Sequence, residues 1–164
     1  IKGTKLEQDY IEKNYEPLSV VQAVETCKEL VKIFVKHHID VIRVGLQNTD
    51  EISEPGTENS EVVAGPYHPA FRQLVESSLW YDAIVNKIKK LNVKVKEVEI
   101  TVNPIDANNV IGHKKENIFK LKDLYEVDLI VKQDENIKQG KCDIKVTKEY
   151  NDFLEEKTDK TIKI

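Results

Sequence analysis

Cys27, Cys142 and the four histidines are the groups in this sequence that could ligate a metal or attack an electrophile, and their spacing decides against both. The cysteines stand far apart with no CxxC-type partner. No HxxxH or HExxH brings two imidazoles onto one helical face, so a self-contained zinc site is not expected. The two thiols read as buried or incidental. His37 and His38 close an apolar-periodic run, where they complement a helix dipole better than they hold a metal. There is no G-x-S-x-G, P-loop or GxGxxG. Acid pairs such as Glu155-Glu156 read as solvated helix faces, which leaves little for a conventional hydrolase or transferase.

A second set of polar groups depends on the element that carries it. "DVIRVGLQ" is a β-branched run of strand length in which Ile42, Val44 and Leu46 face one way and Arg43, Gly45 and Gln47 the other. A polar row with a glycine on an otherwise buried strand is either the face of a cavity or the site of a structural salt bridge through Arg43. Just upstream, Val20, Val24, Cys27, Val31 and Phe34 give one apolar face of a helix. Ser19 and Gln22 form its capping box after Pro17. Helix followed at once by strand is the order of an α/β unit. The acidic stretch "NTDEISEPGTENSE" reads as a mobile surface loop. A helix then begins near Pro69, with His68 just before it. It carries Phe71, Leu74, Val75 and Leu79, is expected to break near Ser77 and Ser78, and resumes through Trp80, Ile84, Ile88 and Leu91.

From Val93 the rhythm changes. Val98, Ile100 and Val102 alternate as a half-buried strand that Pro104 stops. A short helical turn over residues 107–111 follows, then a connection, then a helix over 116–125 with Ile118, Leu121 and Leu124 inward. "VDLIVKQ" and "CDIKV" read as strands around the turn "ENIKQGK", and "TKEYNDFLEEK" as a closing helix capped by Thr147. The order is β-α-α-β-β-α, and two domains are expected, 1–92 and 93–164.

Composition fits that division. At 164 residues and 40% hydrophobic content the chain can bury a real core. The net charge of −4 is unevenly spread: residues 1–82 hold 8 Lys and Arg against 14 Asp and Glu, whereas residues 83–124 hold 9 lysines against 5 acids. The second part therefore leans towards a polyanionic partner. No apolar run approaches the length of a membrane span and no secretory leader opens the sequence, so no membrane partner is expected and the cytoplasm is the expected location. The opening "IKGTKL" and the lack of any methionine give the expectation that this is a fragment of a longer protein.

The second part, with "VIGHKKENI" between its first two helices, resembles the KH domain in its β-α-α-β-β-α form. Val110, Ile111, Gly112 and Ile118 match the family pattern V-I-G-x-x-G-x-x-I; Lys115 occupies the place of the second glycine. The resemblance implies a loop that approaches nucleic-acid phosphates closely, with Gly112, His113, Lys114 and Lys115 as candidate RNA contacts. A side chain at Lys115 either blocks that approach or replaces it with a charge contact.

The first part resembles the segment after the core of certain radical S-adenosylmethionine proteins, the Elongator catalytic-subunit-like group and the oxygen-independent coproporphyrinogen oxidase-like group. Three separated motifs carry the likeness: "KGT" at Lys2–Thr4, which ends a barrel strand in such proteins, "VIRVGLQ", and a G-x-x-H-x-x-x-R-x-L segment at Gly65, His68, Arg72 and Leu74. The C-x-x-x-C-x-x-C triplet that ligates the iron–sulfur cluster is absent. The resemblance therefore implies a C-terminal α/β extension of a radical barrel, with no cofactor of its own. The 4Fe-4S cluster and S-adenosylmethionine are then held by a barrel upstream on the same polypeptide, and tRNA or a tetrapyrrole are candidate substrates. Arg43, Gln47, His68 and Arg72 are the implied substrate-facing candidates; a hydrogen-bonded interdomain seam, with His68 as a helix cap, is the alternative. A non-catalytic RNA-binding module is the competing function.

Overall fold

The computed structural model describes residues 1–91 and 93–150. Among these the chain is α+β, with five α-helices and one three-stranded mixed sheet. It divides into two compact units, Ile1–Trp80 and Tyr81–Ile164. The division falls inside α3 (Phe71–Lys89), upstream of the boundary expected after residue 92. The last turns of α3 belong to the second unit, within which Lys87 Nζ donates to Cys142 Sγ at 3.5 Å.

In the first unit α1 (Lys5–Ile11) starts where Thr4 Oγ1 accepts from the Glu7 N–H at 3.2 Å. Residues 2–4 form the turn into this helix rather than the end of a strand. The capping box of α2 (Val20–Lys36) is formed as expected: Ser19 Oγ accepts from the Gln22 N–H at 3.2 Å and the Gln22 side chain accepts from the Ser19 N–H at 2.8 Å. These bonds satisfy amide donors that a helix start leaves without partners. The core joins Ala23, Phe71 and Val75, packed by Val20, Val24, Cys27, Val31, Val44 and Leu79. The apolar faces of α2 and of the first turns of α3 thus meet as their periodicity required. Phe34, at the end of the expected stripe, is exposed.

Two expectations fail here for physical reasons. Residues 40–47 form no strand: Val44 reaches the core, while Ile42 and Leu46 are 91% and 70% exposed. A β-branched run becomes a strand only when a neighbouring strand takes its backbone hydrogen bonds, and no described residue of this unit offers one. Next, α3 runs unbroken through Ser77 and Ser78. Mid-helix serine costs only a few tenths of a kcal/mol, and Val75 and Ile84, each 1% exposed, hold the helix on either side. The acidic loop is closed on itself. Ser60 is buried, donates to the Ser53 carbonyl at 3.0 Å and accepts from the Val62 N–H at 3.1 Å, and the Tyr67 hydroxyl bonds to the Asn48 side chain.

The second unit is built on β1 (Val95–Val102), which lies between β2 (Asp128–Gln133) and β3 (Cys142–Glu149). β1 and β2 run parallel with Val98 opposite Leu129 and Ile100 opposite Val131; β1 and β3 run antiparallel with Ile100 opposite Ile144. A parallel pair needs a crossover, supplied by α4 (Pro104–Ile111), a 3-10 turn (His113–Lys115) and α5 (Glu116–Tyr125). The order β-α-α-β-β follows the sequence reading. Val98, Ile100 and Val102 are fully buried and pack with Val110, Leu121 and Val127 into the core. Pro104 ends β1 by opening α4, where Asn103 Oδ1 accepts from the Ile105 N–H. α4 is therefore longer than the single turn expected.

Two helix readings change. In α5 the inward residues are Asn117 and Leu121, four apart, so Leu124 falls on the outer face at 69% exposure. Thr147 caps no helix: it lies within β3, and its hydroxyl donates to the Glu97 carbonyl and side chain. The rest of the expected closing helix lies outside the described residues.

Candidate functional site

Gly45 sets the geometry of the first unit's polar groups. Its φ is +80°, and a Cβ there would lie 2.9 Å from Phe71 Cδ1. The glycine expected to face a cavity instead lets the backbone lie against the Phe71 ring. On either side of this contact is a groove. One, of about 330 Å³, is lined by Arg43, Gln47 and Arg72 among others; the second, of about 390 Å³, is lined mainly by apolar groups, including Cys27, Leu46, Val62 and Phe71, with His68 at its wall. Three of the four candidates thus share one groove, and His68 sits in the other.

Their hydrogen bonds separate them further. Arg72 is a tether: Nη1 donates to the Ile42 carbonyl at 3.2 Å and Nε pairs with Glu76 at 2.7 Å. It joins α3 to the 41–48 segment in place of a strand ladder. His68 Nδ1 accepts from the Ala70 N–H at 3.1 Å, and the His68 carbonyl accepts from the Phe71 N–H. That is the capping role weighed as its alternative. Arg43 is exposed and pairs with no carboxylate among the described residues, and Gln47 is exposed beside it. Both line the groove with exposed side chains.

In the second unit, Gly112 is buried with φ +83°, and a Cβ would meet the Asn117 backbone nitrogen at 2.9 Å. Lys114 and Lys115 follow at φ +50° and +64°, with exposed side chains, and His113 is half-buried. Lys115 therefore keeps the left-handed backbone that a glycine would adopt most easily, at a cost of roughly 1 kcal/mol. Gly112, by contrast, is closed over by Asn117, whose amide donates to the Asn109 and Val110 carbonyls at 3.2 and 3.1 Å. The sequence reading missed Asn117. Its signal was a polar residue in phase with Leu121 on the buried face of a helix.

The donor set for an iron–sulfur cluster is not in this chain. Two cysteines cannot supply three thiolates, and Cys27 lies on α2 in the first unit while Cys142 opens β3 in the second. No chemical step through a cluster is assigned to these residues. No helix of the described residues is long and apolar enough to cross a membrane.

No curated protein matches the chain, and no solved structure does. Residues 1–81 match the family model described as the Radical_SAM C-terminal domain. The matched stretch spans the capped helix α2, the segment at Gly45 and the start of α3 on which Arg72 stands, and the match supports a radical SAM C-terminal region there.

Proposed function

We propose that this chain is the C-terminal accessory part of a radical S-adenosylmethionine enzyme of the Elongator-like or coproporphyrinogen oxidase-like kind. Its first unit completes the wall of a barrel carried upstream on the same polypeptide. The family match over residues 1–81 carries the coarse reading. The docking role is supported by the 41–48 segment, strand-like in composition yet unladdered, with Ile42 and Leu46 turned outward. Exposed β-branched backbone of this kind is completed by a neighbouring strand. In this reading the 4Fe-4S cluster and S-adenosylmethionine belong to the barrel, which supplies the radical chemistry, and this chain positions substrate, with tRNA one candidate class. Arg43 and Gln47 are its substrate-facing groups; Arg72 holds the segment that presents them.

The test is made in the full-length enzyme. Arg43→Ala should lower turnover by tenfold or more, on the order of the 1.4 kcal/mol that a lost charge-assisted contact is worth, with the melting temperature unchanged. Equal loss of turnover and stability would assign Arg43 to a structural seam instead. Arg72→Ala should lower both.

An RNA-binding module is the second reading, and one observation favours it: Lys114 and Lys115 are exposed at the entry to α5. The packing of Asn117 over Gly112 weakens it, because the loop backbone at that glycine is turned to the protein and not to a phosphate. Titration of the chain with short RNA at two salt concentrations separates a charge contact through Lys114 and Lys115 from none.

A further inference from the structure

Residues 86–96 hold five lysines, Lys87, Lys89, Lys90, Lys94 and Lys96, and no acidic residue. All five are exposed. Eight other cations, Lys5, Lys28, Lys32, Arg72, Lys120, Lys122, Lys132 and Lys148, each meet a carboxylate within 2.8 Å; the remaining unpaired ones, such as Lys2, Lys13, Lys36 and Arg43, are scattered along the sequence. Among the described residues none of the five meets a carboxylate in this way; Lys87 donates to Cys142 Sγ, which leaves four ammonium groups facing solvent together.

Tyrosines interleave with them. Lys94 and Lys96 stand 4.8 and 5.7 Å from the centre of the Tyr150 ring, and Lys89 stands 5.5 Å from that of Tyr125. The two rings are linked through Glu126, which follows Tyr125 and bonds to the Tyr150 hydroxyl at 3.2 Å. Tyr81 stands beside a further cation, with Lys120 Nζ 5.7 Å from its ring centre. The whole surface belongs to the second unit and lies on α3, the start of β1, the end of α5 and the end of β3.

We propose that this surface binds single-stranded nucleic acid, with Lys89, Lys90, Lys94 and Lys96 on phosphates and the faces of Tyr125 and Tyr150, which these lysines cover in the free chain, opened to bases as the ammonium groups move onto phosphate. Unpaired lysines in such density attract a polyanion, and aromatic rings set among them add base stacking without sequence preference. A membrane surface is disfavoured because Val93 is the only apolar side chain of the stretch that is exposed. The inference rests neither on the radical-enzyme reading nor on the Gly112 loop.

The test is a fluorescence titration of the full chain with labelled oligouridine of roughly 10 nucleotides. With four phosphate contacts the logarithmic salt slope should be near −3, giving a loss of about 50-fold between about 50 and 200 mM salt. Replacing the four lysines by glutamine (K89Q/K90Q/K94Q/K96Q) should flatten that slope to near zero, whereas the four arginine replacements (K89R/K90R/K94R/K96R) should restore binding. K114Q/K115Q should stay within about twofold of the parent. The proposal is overturned by no binding at low salt, by a larger loss from the loop pair than from the four lysines, or by phosphatidylserine vesicles binding as tightly as the RNA. Should the glutamine variant unfold, failure of the arginine variant to bind while its circular dichroism is unchanged would overturn it equally.

Discussion

Asn117 Nδ2 donates to the Val110 carbonyl at 3.1 Å, so the first turn of α5 closes the last turn of α4. The same amide reaches the Asn109 carbonyl at 3.2 Å. Carbonyls at a helix end have no partner within the helix, and here a buried side chain supplies one from the next element. This places the bend at Gly112 under the control of a residue five positions later.

Removing that amide leaves buried acceptors unmet. Asn117→Ala should cost about 1–3 kcal/mol in urea unfolding. Asn117→Asp should cost more, because it sets a carboxylate against two carbonyl oxygens. Equal stability of Asn117→Asp and the parent would refute the capping role. Gly112→Ala should also destabilise, since φ is +83° and Asn117 fills the space.

Lys115 stands at φ +64° and ψ +24°. Lys115→Gly should therefore be neutral or stabilising by up to about 1 kcal/mol, relief of left-handed strain outweighing the flexibility gained by the unfolded chain. Lys120→Gly, in the middle of α5, should instead cost about 1 kcal/mol. Melting temperatures of the two variants should move in opposite directions or differ by that margin; identical losses would show that the backbone at Lys115 is unstrained.

Glu97 gives the second unit an acid-sensitive point. Its carboxylate accepts from Lys148 Nζ at 2.6 Å and from Thr147 Oγ1 at 2.8 Å. The ammonium first and the hydroxyl second hold its pKa below the ordinary value of 4.5. A depressed folded-state pKa contributes stability that is complete above the ordinary carboxylate value and is lost as pH falls through the folded one. Glu97→Gln should flatten the acid limb of a stability–pH curve and leave its neutral region little changed. An acid limb with the parent's slope would remove Glu97 from the account.

Ser19→Ala breaks the reciprocal bonds with Gln22 and should cost about 1 kcal/mol. The loss should appear in the first unit's unfolding. Protection of the α2 amides from hydrogen exchange is the measurement, and undiminished protection near Gln22 would contradict the prediction.

What the sequence decided by itself was local. The capping box at Ser19, the face of α2, the α5 boundaries and the alternation in β1 each follow from bonds or periodicities within a dozen residues. Tertiary structure decided what needs a distant partner. "DVIRVGLQ" has the composition of a strand but, among the described residues, no strand beside it, and Ser77 stays helical because Val75 and Ile84 are buried on either side. The site divided in the same way. Arg43, Gln47 and Arg72 were legible as polar residues near a glycine, but only the fold turned Arg72 into a tether and moved His68 to the second groove. Lysines at 86–96 were visible as charge, whereas their meeting with Tyr125 and Tyr150 depends on the end of α3 reaching the end of α5 and on β3 pairing with β1. Sequence spacing fixes contacts across one helical turn or one strand; contacts across tens of residues exist only once burial has chosen which faces meet.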